Sequence, residues 1–100
     1  MKLHTVNKSP MRDDAMSQCL SVAASGSCVL LLEDGVYGAL RGGSLSRSIT
    51  DALDRLRIFA LAPDVTARGL DAHLVEGVAL VDYDGFVRLT IECDAVVPWH

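Results

Sequence analysis

The chain has 100 residues, enough for one hydrophobic core, so we expect a single domain spanning residues 1–100. Half of the residues are hydrophobic and 22% are charged, a composition that excludes a disordered chain. The net charge is −4 and the arginines are scattered along the sequence, which argues against a basic surface and against direct binding of nucleic acid.

The first part of the chain predicts a strand followed by a helix. Residues 3–6 form a short strand-like segment, after which Ser9 can cap a helix that has Pro10 at its first position. We expect this helix over residues 11–24. Its apolar side chains are three, four and seven positions apart and so share one face: Met16, Cys19, Leu20 and Ala23.

The next segment is the clearest strand of the sequence. Residues 28–32 are continuously apolar without alternation, which is typical of a strand covered on both faces. Residues 36–40 then predict a brief helix that ends at Gly42 and Gly43, and residues 44–56 predict another short helix.

The second half repeats the alternation of strand and helix. Residues 57–61 predict a third strand, and a helical turn starting at residues 62–64 is closed by Gly69 in a left-handed conformation. Residues 78–81 predict a fourth strand.

The last segments complete the expected architecture. Asp84 can cap a final helix that runs to residue 91, and residues 96–99 form an apolar tail. Alternating strands and helices imply right-handed crossovers, so we predict an α/β fold with a mainly parallel sheet of about four strands flanked by helices.

Common catalytic and binding signatures do not occur in the sequence. There is no glycine-rich dinucleotide or phosphate loop, no metalloprotease helix and no paired CxxC motif. The three histidines, His4, His73 and His100, lack the short spacing of a metal site. We therefore expect neither a metal nor a cofactor. No apolar run is long enough for a membrane span and no signal peptide is evident, so a cytoplasmic location without membrane contact is expected.

The cysteines are the remaining candidates for chemistry. Cys19, Cys28 and Cys93 are odd in number and widely spaced, which favours free thiols. Cys28 begins the apolar strand and is expected to pack as a small hydrophobic residue, while the role of Cys93 is open. Cys19 lies in mid-helix, away from the helix amino terminus that would lower its pKa, so the residues alone favour packing there too.

Four segments of the sequence resemble the DsrH/TusB family, in the family's order and across essentially the whole chain. They are residues 3–10 (LHTVNKSP), 31–37 (LLEDGVY), 60–69 (ALAPDVTARG) and 81–87 (VDYDGFV).

This resemblance implies a DsrE-like three-layer fold and a place as the small subunit of a DsrEFH or TusBCD hexamer. The implied partners are DsrE/TusD-like and DsrF/TusC-like sister subunits and a DsrC/TusE-like sulfur carrier. Such complexes pass persulfide sulfur between cysteines, either in sulfur oxidation or toward 2-thiolation of the tRNA wobble uridine.

Resemblance also bears on the candidate site. The main sulfur-carrying cysteine of these hexamers belongs to the DsrE/TusD-type subunit, but residues 17–20 (SQCL) and 90–94 (TIECD) resemble the DsrH branch more closely. This makes Cys19 a candidate secondary sulfur acceptor, with Lys8 or Arg12 as possible cationic help. The alternative is a purely structural subunit needed for assembly, and whether the chain is itself an enzyme is left open.

Overall fold

Five parallel strands form one sheet in the computed structural model, which describes residues 1–99. The spatial order of the strands is β4-β3-β2-β1-β5. The strands are β1 (Lys2–Val6), β2 (Cys28–Leu31), β3 (Arg57–Leu61), β4 (Ala79–Val81) and β5 (Ala95–Trp99). The helices are α1 (Ala15–Val22), α2 (Ser46–Ala52), α3 (Ala62–Ala67) and α4 (Tyr83–Glu92), with a 3₁₀ helix at Glu33–Ala39.

Helices cover both faces of this sheet, which confirms the predicted three-layer α/β fold. One buried cluster joins the sheet to α1, α2 and the 3₁₀ helix, and includes Val29 and Ile58 from the central strands. A second, smaller cluster joins the opposite face to α4, and includes Leu30 and Phe59 from the same strands. Successive side chains of a strand point to opposite faces, so β2 and β3 contribute to both clusters.

The strand predicted with the clearest pattern lies at the centre of the sheet. All four residues of β2 are buried, and the strand pairs with β1 on one side and β3 on the other. Its continuous apolar sequence is therefore explained by helices above and below it.

The sheet has five strands rather than about four, because residues 95–99 form a strand. β5 pairs in parallel with β1 along its whole length, with Thr5 opposite Pro98. A proline cannot donate to a strand ladder, which obscured this strand in the sequence, but an edge strand tolerates it. The Trp99 Nε1 group also donates a hydrogen bond to His4 Nδ1 at 3.0 Å, and burial lowers the pKa of His4.

Two predicted helix starts are wrong. The first helix begins at Ala15, whose backbone N–H donates a hydrogen bond to Asp13 Oδ1. The Ser9 hydroxyl instead accepts a hydrogen bond from the N–H of Met11, in a turn that precedes the helix. The last helix is capped by Asp82 rather than Asp84, because Asp82 Oδ1 accepts from the N–H of Gly85. Both errors arise where several capping side chains lie close together in the sequence.

The middle of the chain follows the prediction with shifted bounds. The brief helix expected at residues 36–40 is a 3₁₀ helix that begins at Glu33, and the helix expected at residues 44–56 is confined to α2. Gly69 has a φ of +67°, as expected for the residue that ends α3. Within residues 1–99, none of the helices combines the length and apolar character needed to cross a membrane.

Candidate functional site

Cys19 lies on the face of α1 that packs against the sheet. Its side chain has no solvent exposure and belongs to the larger buried cluster together with Met16 and Leu20. The sequence spacing that placed these three residues on one helical face is therefore confirmed, and the same placement removes the thiol from solvent.

Burial also sets the protonation of this thiol. Desolvation raises the pKa of Cys19 from 9.0 to about 11. At neutral pH only roughly one molecule in ten thousand would carry the thiolate, which is the nucleophilic form. Lys8 and Arg12 are both exposed, and neither contributes to this pKa, so the cationic help considered from the sequence does not reach Cys19 in this conformation.

The other two cysteines lie together on the opposite side of the sheet. Cys28 is the first residue of β2 and is fully buried, as predicted. Cys93 immediately follows α4 and is 7% exposed. Both belong to the smaller cluster, so the sheet separates them from Cys19.

An open cavity of about 630 Å³ lies at the carboxyl ends of β1 and β2. In parallel α/β sheets this is the edge at which ligands commonly bind, because loops after adjacent strands converge there. The cavity has hydroxyl groups, one cation and one carboxylate, but its lining includes no cysteine. The lining residues are Ser9, Met11, Arg12, Asp34, Tyr37 and Leu40.

An ion pair connects the wall of this cavity to α3. The Arg68 guanidinium donates to Asp34 Oδ1 through Nη2 at 2.9 Å and Nε at 3.2 Å, and it lies 6.0 Å from the centre of the Tyr37 ring. Asp34 is 61% exposed, so the pair contributes on the order of 1 kcal/mol or less. Its effect is to orient the carboxylate and the tyrosine ring beside the cavity.

A side chain of α3 also stabilises the turn that leads into the 3₁₀ helix. Glu33 has a φ of +50°, a backbone conformation that residues other than glycine rarely adopt. Its backbone N–H donates to Asp64 Oδ2 at 2.6 Å, so a side chain at the start of α3 stabilises this turn. The turn after β2 and the start of α3 after β3 are thus joined at one edge of the sheet.

Metal ligands do not converge in the described part of the chain, where no group of three or more His, Cys, Asp or Glu side chains could hold an ion. His4 Nδ1 accepts a hydrogen bond from Trp99 Nε1. The backbone carbonyl of His73 accepts a hydrogen bond from the N–H of Arg41. His100 lies outside the described residues.

Comparison with known proteins identifies the family. A family model described as "DsrH like protein" matches residues 8–96. Protein TusB from Pectobacterium parmentieri is 35% identical over 97 residues, which cover 97% of this chain and 99% of that protein. Protein TusB from Escherichia coli strain K12 has the same identity and coverage, and Protein TusB from Shigella flexneri is 34% identical. The chain belongs to the DsrH/TusB family.

Solved structures show the same fold as this DsrH/TusB-family chain. The ychN protein from E. coli superposes with a TM-score of 0.85 at 18% sequence identity, with 97% of each chain covered. The protein MTH1491 from Methanobacterium thermoautotrophicum gives a TM-score of 0.71 at 20% identity, covering 97% of this chain and 96% of the other. At these identities the likeness supports the three-layer fold alone.

Two of the segments that carried the family resemblance meet beside the cavity. Asp34 belongs to the second of these segments, and Asp64 and Arg68 belong to the third, more than 25 positions away. Their contacts with Glu33 and Asp34 join the two segments in the fold. Sequence reasoning recognised the segments but not the pairing of Asp34 with Arg68, because only the parallel pairing of β2 with β3 brings them together.

Proposed function

We propose that this chain is a subunit of a cytoplasmic sulfur-relay complex. The observation that carries this proposal is the match to Protein TusB sequences over nearly the full length of both chains. The partners proposed are DsrE/TusD-like and DsrF/TusC-like sister subunits and a DsrC/TusE-like carrier. In this assignment the principal sulfur-carrying cysteine belongs to a sister subunit.

The name shared by these relatives favours the tRNA branch of the relay over the sulfur-oxidation branch. In that branch the sulfur ends on the wobble uridine of tRNA through a TusE-like carrier. The resemblance of residues 90–94 to DsrH sequences predicts the other branch. The carrier that accepts sulfur from the complex distinguishes the two.

A stripe of exposed apolar side chains on α4 supports assembly with partners. Tyr83, Val87 and Ile91 are four positions apart, so they lie along one side of the helix, and they are 59%, 55% and 76% exposed. Phe86 and Leu89 on the other side of the helix pack against the sheet. An apolar stripe left in water on a helix that is already packed is typical of a protein interface.

We expect Val87→Glu to weaken association with the sister subunits by roughly tenfold or more, because it would bury a charge at the contact. Native mass spectrometry of the co-expressed subunits measures this. Ser48→Glu, on the exposed side of α2, is the matched control and should leave assembly intact. Equal assembly of the two variants, with each variant folded as judged by circular dichroism, would contradict a contact through the α4 stripe.

Cys19 remains our proposal for a secondary sulfur acceptor within the complex. Its Sγ thiolate would attack the outer sulfur of a donor persulfide, the S–S bond would break, and the donor cysteine would leave as a thiolate. Because Cys19 is fully buried and its pKa is about 11, this step requires a partner that opens the packing between α1 and the sheet.

Persulfide loading of the assembled complex tests Cys19 directly. We expect mass spectrometry to find added sulfur on Cys19, and we expect Cys19→Ser to lower sulfur transfer to the carrier while the subunits still assemble. Cys93→Ser is the matched control, and it should leave transfer unchanged. Sulfur never found on Cys19, together with unchanged transfer in Cys19→Ser, would assign this thiol to packing while leaving the subunit assignment in place.

A further inference from the structure

His4 is a buried titratable side chain that the sulfur-relay proposal does not use. It lies in the middle of β1 and is 6% exposed. Its register partner on β5 is Val97, and Trp99 is two positions further along the same strand. Side chains two positions apart in a strand share a face of the sheet, so the Trp99 ring is a diagonal neighbour of the His4 ring.

A hydrogen bond joins these two rings. Trp99 Nε1 donates to His4 Nδ1 at 3.0 Å, and the ring centres are 6.2 Å apart with an angle of 40° between the ring planes. An indole nitrogen can only donate, so Nδ1 accepts and the neutral imidazole carries its proton on Nε2. Protonation of Nδ1 removes the acceptor and places two N–H groups against each other. The contact therefore requires the neutral form of His4.

Trp99 anchors the carboxyl end of β5 to the sheet. It is the last residue of this edge strand, which pairs with β1 among residues 1–99. Pro98, directly before it, has no N–H and cannot donate to the strand ladder. The Trp99 ring also packs against the larger buried cluster, which includes the apolar face of α1. Its side chain thus supplies an attachment that the backbone lacks at Pro98.

The surroundings of His4 favour its neutral form. Burial lowers the pKa of His4 from 6.5, and the ammonium group of Lys2 on the same strand lowers it further. The neighbouring elements α1, β2 and β5 contain no charged side chain, and the Cys19 thiol on α1 is held protonated by burial. The Asp94 carboxylate, which precedes β5, is bonded to the Met1 ammonium. At neutral pH the His4 ring is therefore uncharged.

Solvent reaches His4 in spite of its burial. The residue lines a cavity of about 290 Å³ near the amino ends of β1 and β2, together with Lys2 and Ser25. Both of these side chains are exposed, so the cavity opens to water. A proton can reach the ring without unfolding of the chain.

We propose that the contact between His4 and Trp99 is a pH-sensitive switch, in which protonation of His4 releases Trp99 and loosens the carboxyl end of β5. The contribution of the contact to stability is fully present above about pH 6.5. It is lost as pH falls through the lowered pKa of folded His4, because the unfolded chain takes up the proton first. This inference is independent of the sulfur-relay assignment.

Tryptophan fluorescence tests the switch, since Trp99 is the one tryptophan of the sequence. The 100-residue chain is titrated from about pH 8 to about pH 4.5, with far-UV circular dichroism recorded in parallel. We expect emission to fall and to shift to longer wavelength below pH 6.5, because an imidazolium quenches an indole beside it and a released ring meets water. The change should reverse on return to neutral pH, and the circular dichroism should stay constant.

Two variants assign the transition to His4. His4→Asn keeps an acceptor oxygen close to the position of Nδ1 but has no basic group, so its emission should not change with pH. His100→Ala removes the histidine that follows Trp99 in the sequence and should keep the transition.

NMR spectroscopy of the unsubstituted chain tests the switch even where His4→Asn does not fold. The resonance of the Trp99 indole N–H should move toward its position in free indole, with the same midpoint as the His4 ring. Constant emission in the unsubstituted chain, a transition that persists in folded His4→Asn or disappears in His100→Ala, or one that occurs only together with loss of circular dichroism would each overturn the proposal.

Discussion

Cys19 lies on the helix face that its spacing from Met16 and Leu20 indicates, and that face packs against the sheet. The sequence alone therefore predicts where this side chain points. Its exposure, however, depends on how closely α1 approaches β1 and β2, which no local pattern contains. The consequence is chemical, because a thiol in that position is held protonated by desolvation.

This protonation makes stability depend on pH in the alkaline range. The folded pKa of Cys19 is about 11 and its ordinary value is 9.0, so the unfolded chain releases the proton first as pH rises. The contribution of Cys19 is fully present below about pH 9 and is lost as pH rises through about 11, a loss on the order of 3 kcal/mol.

We expect Cys19→Ala to lose less unfolding free energy than the unsubstituted chain between about pH 7 and pH 10. Urea unfolding at a series of pH values measures the difference. Cys28 is kept in both proteins, so its own raised pKa affects them equally. Parallel pH profiles would show that burial does not set the protonation of Cys19.

The 3₁₀ helix approaches the end of β1 closely at Gly35. A Cβ built on Gly35 would lie 2.1 Å from the carbonyl oxygen of Val6 at the end of β1. The same carbonyl accepts the N–H of Leu32, so the backbone cannot move away without breaking that bond. Glycine at position 35 therefore brings the loops after β1 and β2 together beside the cavity.

Gly35→Ala should lower the free energy of unfolding by about 3 kcal/mol, because the new methyl group would overlap a fixed backbone atom. Chemical denaturation followed by circular dichroism measures the loss. Gly26→Ala is the control: Gly26 has a φ of +90° but open space around its Cβ, so only conformational strain of about 1 kcal/mol is expected. An equal loss in both variants would contradict the close approach.

Element positions were predictable where the pattern was long and unbroken. The apolar run at Cys28 and the helix ending at Gly69 were both recognised from sequence, since burial and a left-handed cap leave direct signals. β5 was missed as a strand because Pro98 and its short length resemble a tail. Helix starts were misplaced where neighbouring Asp and Ser residues offered several possible caps.

At the scale of the whole molecule, the two faces of the sheet are covered unequally. α1, α2, α3 and the 3₁₀ helix cover one face, whereas among residues 1–99 the other face is packed by one helix, α4. The second face therefore presents α4 with its apolar stripe outward, which is the feature that the assembly proposal uses. The family could be recognised from four sequence segments, but the contacts between them required the fold.

Transfer of labelled persulfide sulfur to a TusE-like carrier is the most direct test of the relay assignment. The assay uses the DsrE/TusD-like and DsrF/TusC-like subunits reconstituted with and without this chain. We expect transfer to the carrier in the complete complex and a loss of at least roughly tenfold when this chain is omitted, since a missing subunit leaves its contact surfaces unpaired. Transfer at the same rate without this chain would contradict its assignment as a subunit of the relay.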